Sequence, residues 1–152
     1  MISRVLGNGR NGLFVALVLP LAACNSDASG VPGNIEDTTP FSVIGEDETV
    51  HFTGTEPFWG GEVTGDRLTY STPENIDGTV IEVSRFAGRG GLSFSGMLDG
   101  AQFDLVVVEG QCSDGMSDRV FPFVATLSLG ESDDLRGCAW SSDSPFKGPE
   151  SP

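Results

Sequence analysis

The chain has 152 residues, and its 22 acidic and 8 basic side chains give a formal net charge of −14. A surface this acidic repels the phosphates of nucleic acids and anionic lipid headgroups, so we predict no nucleic-acid partner and expect cationic molecules to be attracted instead. One histidine and three cysteines are few ligands for a transition metal. We therefore predict neither a bound metal nor a cofactor.

The first 23 residues have the pattern of a signal peptide. Arg4 and Arg10 form a positive start, and the apolar run Leu13–Leu19 follows. The run is too short to span a bilayer, which needs roughly 20 apolar residues. Leu21–Cys24 reads Leu-Ala-Ala-Cys, the pattern of a bacterial lipobox. We predict cleavage of residues 1–23, with an ordinary secretory signal as the alternative.

Cys24 is the predicted site of acylation. Lipoprotein processing attaches two or more acyl chains, which hold a protein on a membrane more firmly than one chain does. The next residue is Asn25, whereas lipoproteins retained in the inner membrane of enteric bacteria usually carry Asp there. We predict anchoring in the bacterial cell envelope, on the periplasmic face of the outer membrane. Loss of two arginines with the signal peptide would take the net charge to −16.

The remaining chain divides by composition into three parts. Residues 24–44 are mostly polar and rich in Ser, Gly, Pro and Asp, which predicts a flexible tether behind the acylated cysteine. Residues 45–140 are enough for one small core. Residues 141–152 contain three prolines and predict a disordered tail.

The central part predicts strands throughout. Short stretches of alternating apolar and polar residues are separated by turn signals, such as Gly65-Asp66 and Asp99-Gly100. The stretches are Val50–Thr53, Phe58–Thr64, Arg67–Ser71, Thr79–Arg85, Leu92–Ser95, Ala101–Val108, Phe121–Leu129 and Asp134–Trp140. No window has a helical period. We predict an all-β fold, a small antiparallel up-and-down barrel of seven or eight strands, with a β-sandwich as the alternative.

Cys112 and Cys138 remain as a pair after acylation of Cys24. In an oxidising compartment such a pair predicts a disulfide, for which chain-entropy reasoning gives roughly 3 kcal/mol. The single histidine, His51, lies in an alternating stretch. We expect it to be structural or on the surface rather than catalytic.

Two phrases depart from ordinary strand sequence, Gly54–Trp59 (GTEPFW) and Cys112–Arg119 (CSDGMSDR), the second followed later by Gly137–Ala139. With them the chain resembles a family of uncharacterised bacterial envelope lipoproteins that carry G-[TN]-E-P-F-W and C-x-D-G-M-S-D. The resemblance covers roughly Thr53 to Trp140. It implies a location in the cell envelope and a barrel fold, but no activity. In size, disulfide and anchor the chain also looks like membrane-bound inhibitors of c-type lysozyme, in architecture only.

The first phrase has two interpretations. Pro57 holds Glu56 in extended geometry, and Phe58 and Trp59 should then point to opposite faces of a strand. Glu56 is either a buried acceptor in a structural latch or, with Trp59, the floor of a ligand site at the barrel mouth.

The second phrase reads as a polar loop held by the disulfide. Asp114-Gly115 predicts a turn in which the carboxylate caps backbone N–H groups. Asp118 and Arg119 are expected to pair with each other or with Glu56. Asp114, Ser117 and Asp118 supply too few oxygen ligands for a calcium loop. Ser117 has no histidine near it in sequence, which a catalytic triad would need.

These observations leave two classes of function. The first is a non-enzymatic envelope module that binds a cationic protein, such as a lysozyme, or a small envelope ligand. A structural or stress-related lipoprotein without a specific ligand belongs to the same class. The second is a hydrolase that uses Glu56, Asp114 or Asp118, and this class lacks a nucleophile–base pair. We predict that the protein is not an enzyme.

Overall fold

The computed structural model describes residues 39–149. The predicted signal peptide, the acylation site Cys24 and most of the tether lie outside the described residues. The described part is all-β and contains no helix, so no helix in it is long and apolar enough to cross a membrane. Its strands are β1 (Val50–Thr55), β2 (Phe58–Thr64), β3 (Arg67–Thr72), β4 (Asn75–Ala87), β5 (Gly91–Leu98), β6 (Ala101–Cys112), β7 (Phe121–Leu129) and β8 (Leu135–Ser141).

The eight strands form one closed antiparallel barrel in which each strand pairs with its sequence neighbours. Closure occurs where β1 pairs with β2 on one side and with β8 on the other, so that Val50 lies opposite both Val63 and Ser141. The predicted up-and-down barrel is therefore confirmed, with eight strands. Closure removes the free sheet edges that a small all-β domain would otherwise expose.

Up-and-down order places alternate connections at opposite ends of the barrel. At the entry end lie the start of β1, the β2–β3 turn, the β4–β5 loop and the end of β8. At the far end lie the β1–β2, β3–β4, β5–β6 and β7–β8 turns. The β5–β6 turn is the predicted Asp99-Gly100 hairpin, with φ of 50° and 85°. Two positive φ values are what a tight two-residue hairpin requires.

Several strands are longer than their sequence patterns predict, among them β4 and β6. β4 begins at Asn75 rather than Thr79, and β6 continues to Cys112 rather than Val108. The added residues include Gly78 and Gly110, which weaken a strand pattern in sequence. Neighbouring strands nevertheless pair with the added residues, at Thr72 opposite Asn75 and Phe121 opposite Cys112, each beyond a register shift.

The barrel interior is filled by inward-facing side chains. Alternate residues of each strand are buried, as in β7, where Phe123, Ala125 and Leu127 are each at most 1% exposed. The largest buried side chains of the interior are Phe52, Phe94, Phe103, Phe123, Leu68, Leu92, Leu105 and Leu127. An eight-stranded barrel is just wide enough for such side chains to fill it. The interior is a packed core.

The packed unit begins earlier than residue 45. Phe41 and Ile44, which we expected in the flexible tether, are buried and join the core. The Phe41 N–H donates to the Gly88 carbonyl at 2.7 Å, and Arg85 Nη2 donates to the Ile44 carbonyl at 2.9 Å. Two apolar side chains in a polar stretch are thus enough to fix this segment against the β4–β5 loop.

The segment 142–149 also lies against the barrel, where we expected a disordered tail. The Asp143 N–H donates to Glu48 Oε1 at 2.9 Å, and Val120 and Lys147 form a β-bridge. The physical reason is Phe146, whose ring lies 5.5 Å from that of Phe121 and 5.7 Å from that of Trp140. One aromatic side chain outweighs the polar, proline-rich composition around it.

Candidate functional site

The barrel brings the two unusual phrases together on its outer wall. We name Ser113–Val120 the disulfide loop. The predicted disulfide is confirmed: it joins Cys112 to Cys138 with a Cα–Cα distance of 5.5 Å. Cys138 on β8 lies opposite Thr53 of β1. Beyond the disulfide, Thr55 Oγ1 donates to the Asp114 carbonyl at 3.2 Å. The loop therefore lies across β8 and β1.

Asp114 organises the disulfide loop from within. Its carboxylate accepts hydrogen bonds from the Met116 and Ser117 N–H groups at 3.0 and 2.8 Å and from Ser117 Oγ at 2.7 Å. The predicted capping turn is confirmed. Burial acts to raise the pKa of Asp114, but these hydrogen bonds, together with the positive charge of Arg119, outweigh it and hold the pKa below its ordinary value.

Arg119 contacts the C-terminal segment. Its guanidinium lies 4.5 Å from the centre of the Phe146 ring, and its Nε donates to the Pro149 carbonyl at 2.9 Å. Glu56 is exposed in the β1–β2 turn, so the proposal that it is a buried acceptor in a latch is wrong. Asp118 is exposed as well. A stacked guanidinium and a backbone acceptor fix Arg119 without requiring a buried carboxylate.

An aromatic layer continues from Arg119 along the outer wall. Trp140 packs on Phe121 at 5.4 Å between ring centroids, and His51 stacks on Trp140 at 5.1 Å. His51 Nδ1 also lies 3.5 Å from an oxygen of the exposed Glu62. His51 therefore lies on the outer wall in contact with Trp140. We name Phe121, Trp140, Phe146, Arg119 and the disulfide the outer layer.

Trp59 belongs to the interior. The prediction that Phe58 and Trp59 point to opposite faces is confirmed, because Trp59 is 3% exposed and Phe58 is 52% exposed. Gly54 and Gly137 leave the space that the indole occupies: a Cβ on Gly137 would lie 2.9 Å from Trp59 Cζ2, and one on Gly54 would clash with Nε1. The buried Nε1 has no hydrogen-bond partner among the described residues. Trp59 thus packs under the β1–β2 turn as a core residue, and it also lines a groove on the outside of the far end.

Phe58 lies at the centre of an apolar groove on the outside of the far end. The groove has a volume of about 290 Å³, and its walls include Phe58, Pro73 and Ile76, the last of which is 81% exposed. Three exposed carboxylates adjoin these residues in sequence, namely Glu56, Glu74 and Asp77. We name the groove with these carboxylates the acidic groove.

The sequence analysis found only part of the acidic groove. It selected Glu56, Phe58 and Trp59 but missed Pro73, Ile76 and their acidic neighbours, since it began β4 at Thr79. The available signal was Ile76 itself, an aliphatic residue between the polar residues Asn75 and Asp77. These three residues begin β4, and all of them are exposed.

The described carboxylates do not gather into a metal site. No group of three or more His, Cys, Asp or Glu side chains between residues 39 and 149 is arranged to hold a metal ion. The chemistry that the acidic groove offers is therefore apolar contact combined with negative charge.

Comparison of the chain with protein-family models, with curated proteins and with solved structures finds no match. The resemblance to envelope lipoproteins accordingly stays a prediction based on the two phrases.

Proposed function

We propose that the protein is a lipid-anchored, non-enzymatic module of the bacterial cell envelope that binds a cationic protein through the acidic groove. The observation that carries this proposal is the groove itself, where Phe58 and Ile76 are exposed and three exposed carboxylates, Glu56, Glu74 and Asp77, lie within two residues of them in the sequence. Large exposed apolar side chains framed by charge are typical of protein-binding surfaces.

The filled interior supports a partner at the surface. The inward faces of the strands are occupied by buried side chains, and Trp59 packs beneath the far-end turn. A small ligand inside the barrel would have to displace this core. On the outside, by contrast, Phe58 can enter an apolar pocket of a partner without any change in the barrel.

Charge complementarity defines the partner class. The chain has a net charge of −14, and the carboxylates of the groove add a local negative field at the far end. Such a field accelerates association with a positively charged protein and gives specificity more than affinity. We infer a partner with an apolar side chain surrounded by Lys or Arg.

The hydrolase alternative receives less support. The Asp114 carboxylate accepts three hydrogen bonds within its own turn, which occupies it structurally. Glu56 and Asp118 are exposed. A general acid needs an environment that raises its pKa towards the working pH, usually by burial.

The anchor proposal is tested by Cys24→Ala. We expect the variant to leave the membrane fraction or to accumulate as an uncleaved precursor, as measured by fractionation and by mass spectrometry of the N-terminus. If the processed variant still sediments with membranes after a high-salt wash, the proposed anchor at Cys24 is wrong. This conclusion does not depend on the result for the acidic groove.

The partner proposal is tested by capture from envelope extract at physiological salt. We expect wild type to capture basic proteins, and expect both Phe58→Ser and Glu56→Gln/Glu74→Gln to lose them. The matched control is Glu46→Gln/Asp47→Asn, which removes two exposed carboxylates at the entry end. Equal losses in the two double variants would show unspecific charge attraction. No capture by wild type would favour a structural lipoprotein without a specific ligand. Either result overturns the proposal.

A further inference from the structure

A second exposed apolar surface lies on the barrel wall, near the entry end. Phe86 on β4 is 68% exposed and Val106 on β6 is 40% exposed. Both lie opposite Ser93 of the intervening β5, so they share one outward row. With Val108 they line a groove of about 310 Å³. We name Phe86, Val106 and Val108 the wall patch.

Two arginines lie close to the wall patch in the sequence. Residues 83–98 include Arg85 and Arg89 but no acidic residue, although the whole chain has 22. Arg89 is exposed in the loop beside the groove. The nearest carboxylates in sequence on β6 are Glu109, which follows Val108 and is exposed, and Asp104, which is half-buried and accepts a hydrogen bond from Gln102. Arg85 and Arg89 therefore offset part of the negative charge of the chain beside the patch.

The N-terminal segment reaches the barrel at the same place. The Phe41 N–H donates to the carbonyl of Gly88, and Gly88 lines the wall-patch groove. Fourteen residues lie between Cys24 and Thr39, where the described structure begins. A chain of that length spans at most about 50 Å when fully extended. An acyl anchor on Cys24 would therefore hold the entry end of the barrel, beside the wall patch, within about 50 Å of the bilayer.

We propose that the wall patch is the face with which the anchored protein contacts the phospholipid surface; this inference rests on the proposed acylation of Cys24. Phe86 would lie at the level of the headgroups, where aromatic side chains concentrate, and Arg89 would face phosphate groups. Because the wall patch is near the entry end and the acidic groove is at the far end, this contact directs the acidic groove away from the membrane.

The contact depends on the tether. Three apolar side chains form a small surface, and the net charge opposes binding to anionic lipid, so the untethered protein should bind vesicles weakly. Tethering converts the contact into an intramolecular one, with an effective concentration in the millimolar range. The patch thus sets the orientation of the anchored protein rather than its attachment.

The experiment uses the chain from Cys24 to Pro152, which contains the complete barrel and its core. With the Cys112–Cys138 disulfide intact, Cys24 provides the free thiol for coupling to a maleimide lipid. The protein is coupled in this way to bicelles of phosphatidylcholine and phosphatidylglycerol, which also contain a lipid with a nitroxide headgroup. NMR relaxation of backbone amides then measures proximity to the headgroups.

We expect amides of residues 86–92 to relax at least about threefold faster than those of residues 73–77, since one face is held at the membrane by the tether. Phe86→Ser/Val106→Ser should abolish this difference. Val80→Ser, which alters a 55% exposed valine on β4 outside the patch, should preserve it. Spectra without bicelles check that each variant is folded.

Equal relaxation at both ends of the wild-type protein would overturn the proposal. So would an orientation that persists in Phe86→Ser/Val106→Ser, or protection of the patch by a second copy, seen as concentration-dependent self-association without lipid. Because the lipid is coupled chemically, these outcomes are independent of whether Cys24 is acylated in the cell, which Cys24→Ala tests separately.

Discussion

The barrel interior is buried, whereas most of the outer layer is only partly buried, and different forces hold the two regions. The interior is packed by apolar side chains from all eight strands. The outer layer depends on one disulfide, a few ring contacts and the hydrogen bonds of Asp114. Loss of an interior side chain therefore weakens every strand at once. Loss of an outer contact should release the disulfide loop or the C-terminal segment while the barrel stays closed.

This difference assigns separate roles to the two regions. The interior determines the global free energy of unfolding, which for small domains is only about 5–15 kcal/mol. The outer layer determines where the disulfide loop lies on the barrel surface, because Thr55 and Asp114 hold this loop next to the β1–β2 turn. Four predictions test this division, in order of decreasing effect.

The largest effect is expected for Phe103→Ala. Phe103 is fully buried and makes an edge-to-face contact with Tyr70 at 5.5 Å between ring centroids. Removal of the ring should cost about 3–5 kcal/mol of unfolding free energy, the usual range for a buried phenylalanine. Urea denaturation followed by circular dichroism measures it. A loss below about 1 kcal/mol would mean that the interior is loosely packed.

Removal of the disulfide in Cys112→Ala/Cys138→Ala should come next. The two cysteines are 26 residues apart, and a loop of this length gives a loss of about 3 kcal/mol in the chain-entropy model. The strands should still form the closed barrel, while limited proteolysis should now cut the disulfide loop. Simultaneous loss of the β-sheet spectrum at low denaturant would contradict the division between interior and outer layer.

The interior was predictable because its signal is local. The alternation in Phe121–Leu129 alone determines which side chains are buried, and the Asp99-Gly100 turn determines the direction of the next strand. Strand type, hairpin order and closure followed from such patterns. The pairing of Cys112 with Cys138 followed from the count of cysteines.

The outer layer and the acidic groove were less predictable because they depend on contacts between distant segments. Phe146 is the only aromatic residue in a tail that otherwise predicts disorder, and its partners Phe121 and Trp140 lie on β7 and β8. Glu56 was assigned a buried role from its place in a phrase, yet the β1–β2 turn exposes it. Sequence identified which residues were unusual but not which distant side chains they contact.

A smaller effect is expected where the interior meets the far end. Gly54→Ala would place a methyl group on Trp59 Nε1, and overpacking of this kind costs about 1–3 kcal/mol. The double variant Gly54→Ala/Trp59→Leu should recover part of that loss. Urea denaturation of the two single variants and the double variant gives the recovered part as a coupling energy. Gly90→Ala is the control, because an added Cβ there meets no atom within 4 Å. Equal losses at Gly54 and Gly90 would refute the close packing of Trp59.

The smallest effect is expected for Asp114→Asn, which keeps the shape of the capping side chain and removes its charge. The pKa of Asp114 is lower in the folded protein than its ordinary value of 3.8. The ionised carboxylate therefore stabilises the loop fully at a pH above 3.8, and this stabilisation is lost as the pH falls through the folded pKa. At neutral pH the variant should lose about 1 kcal/mol of local stability. Hydrogen exchange of the Met116 and Ser117 amides measures this loss. The difference between wild type and variant should disappear in acid, because protonated Asp114 is then also uncharged. A difference that persists at low pH would show that shape, rather than charge, fixes the disulfide loop.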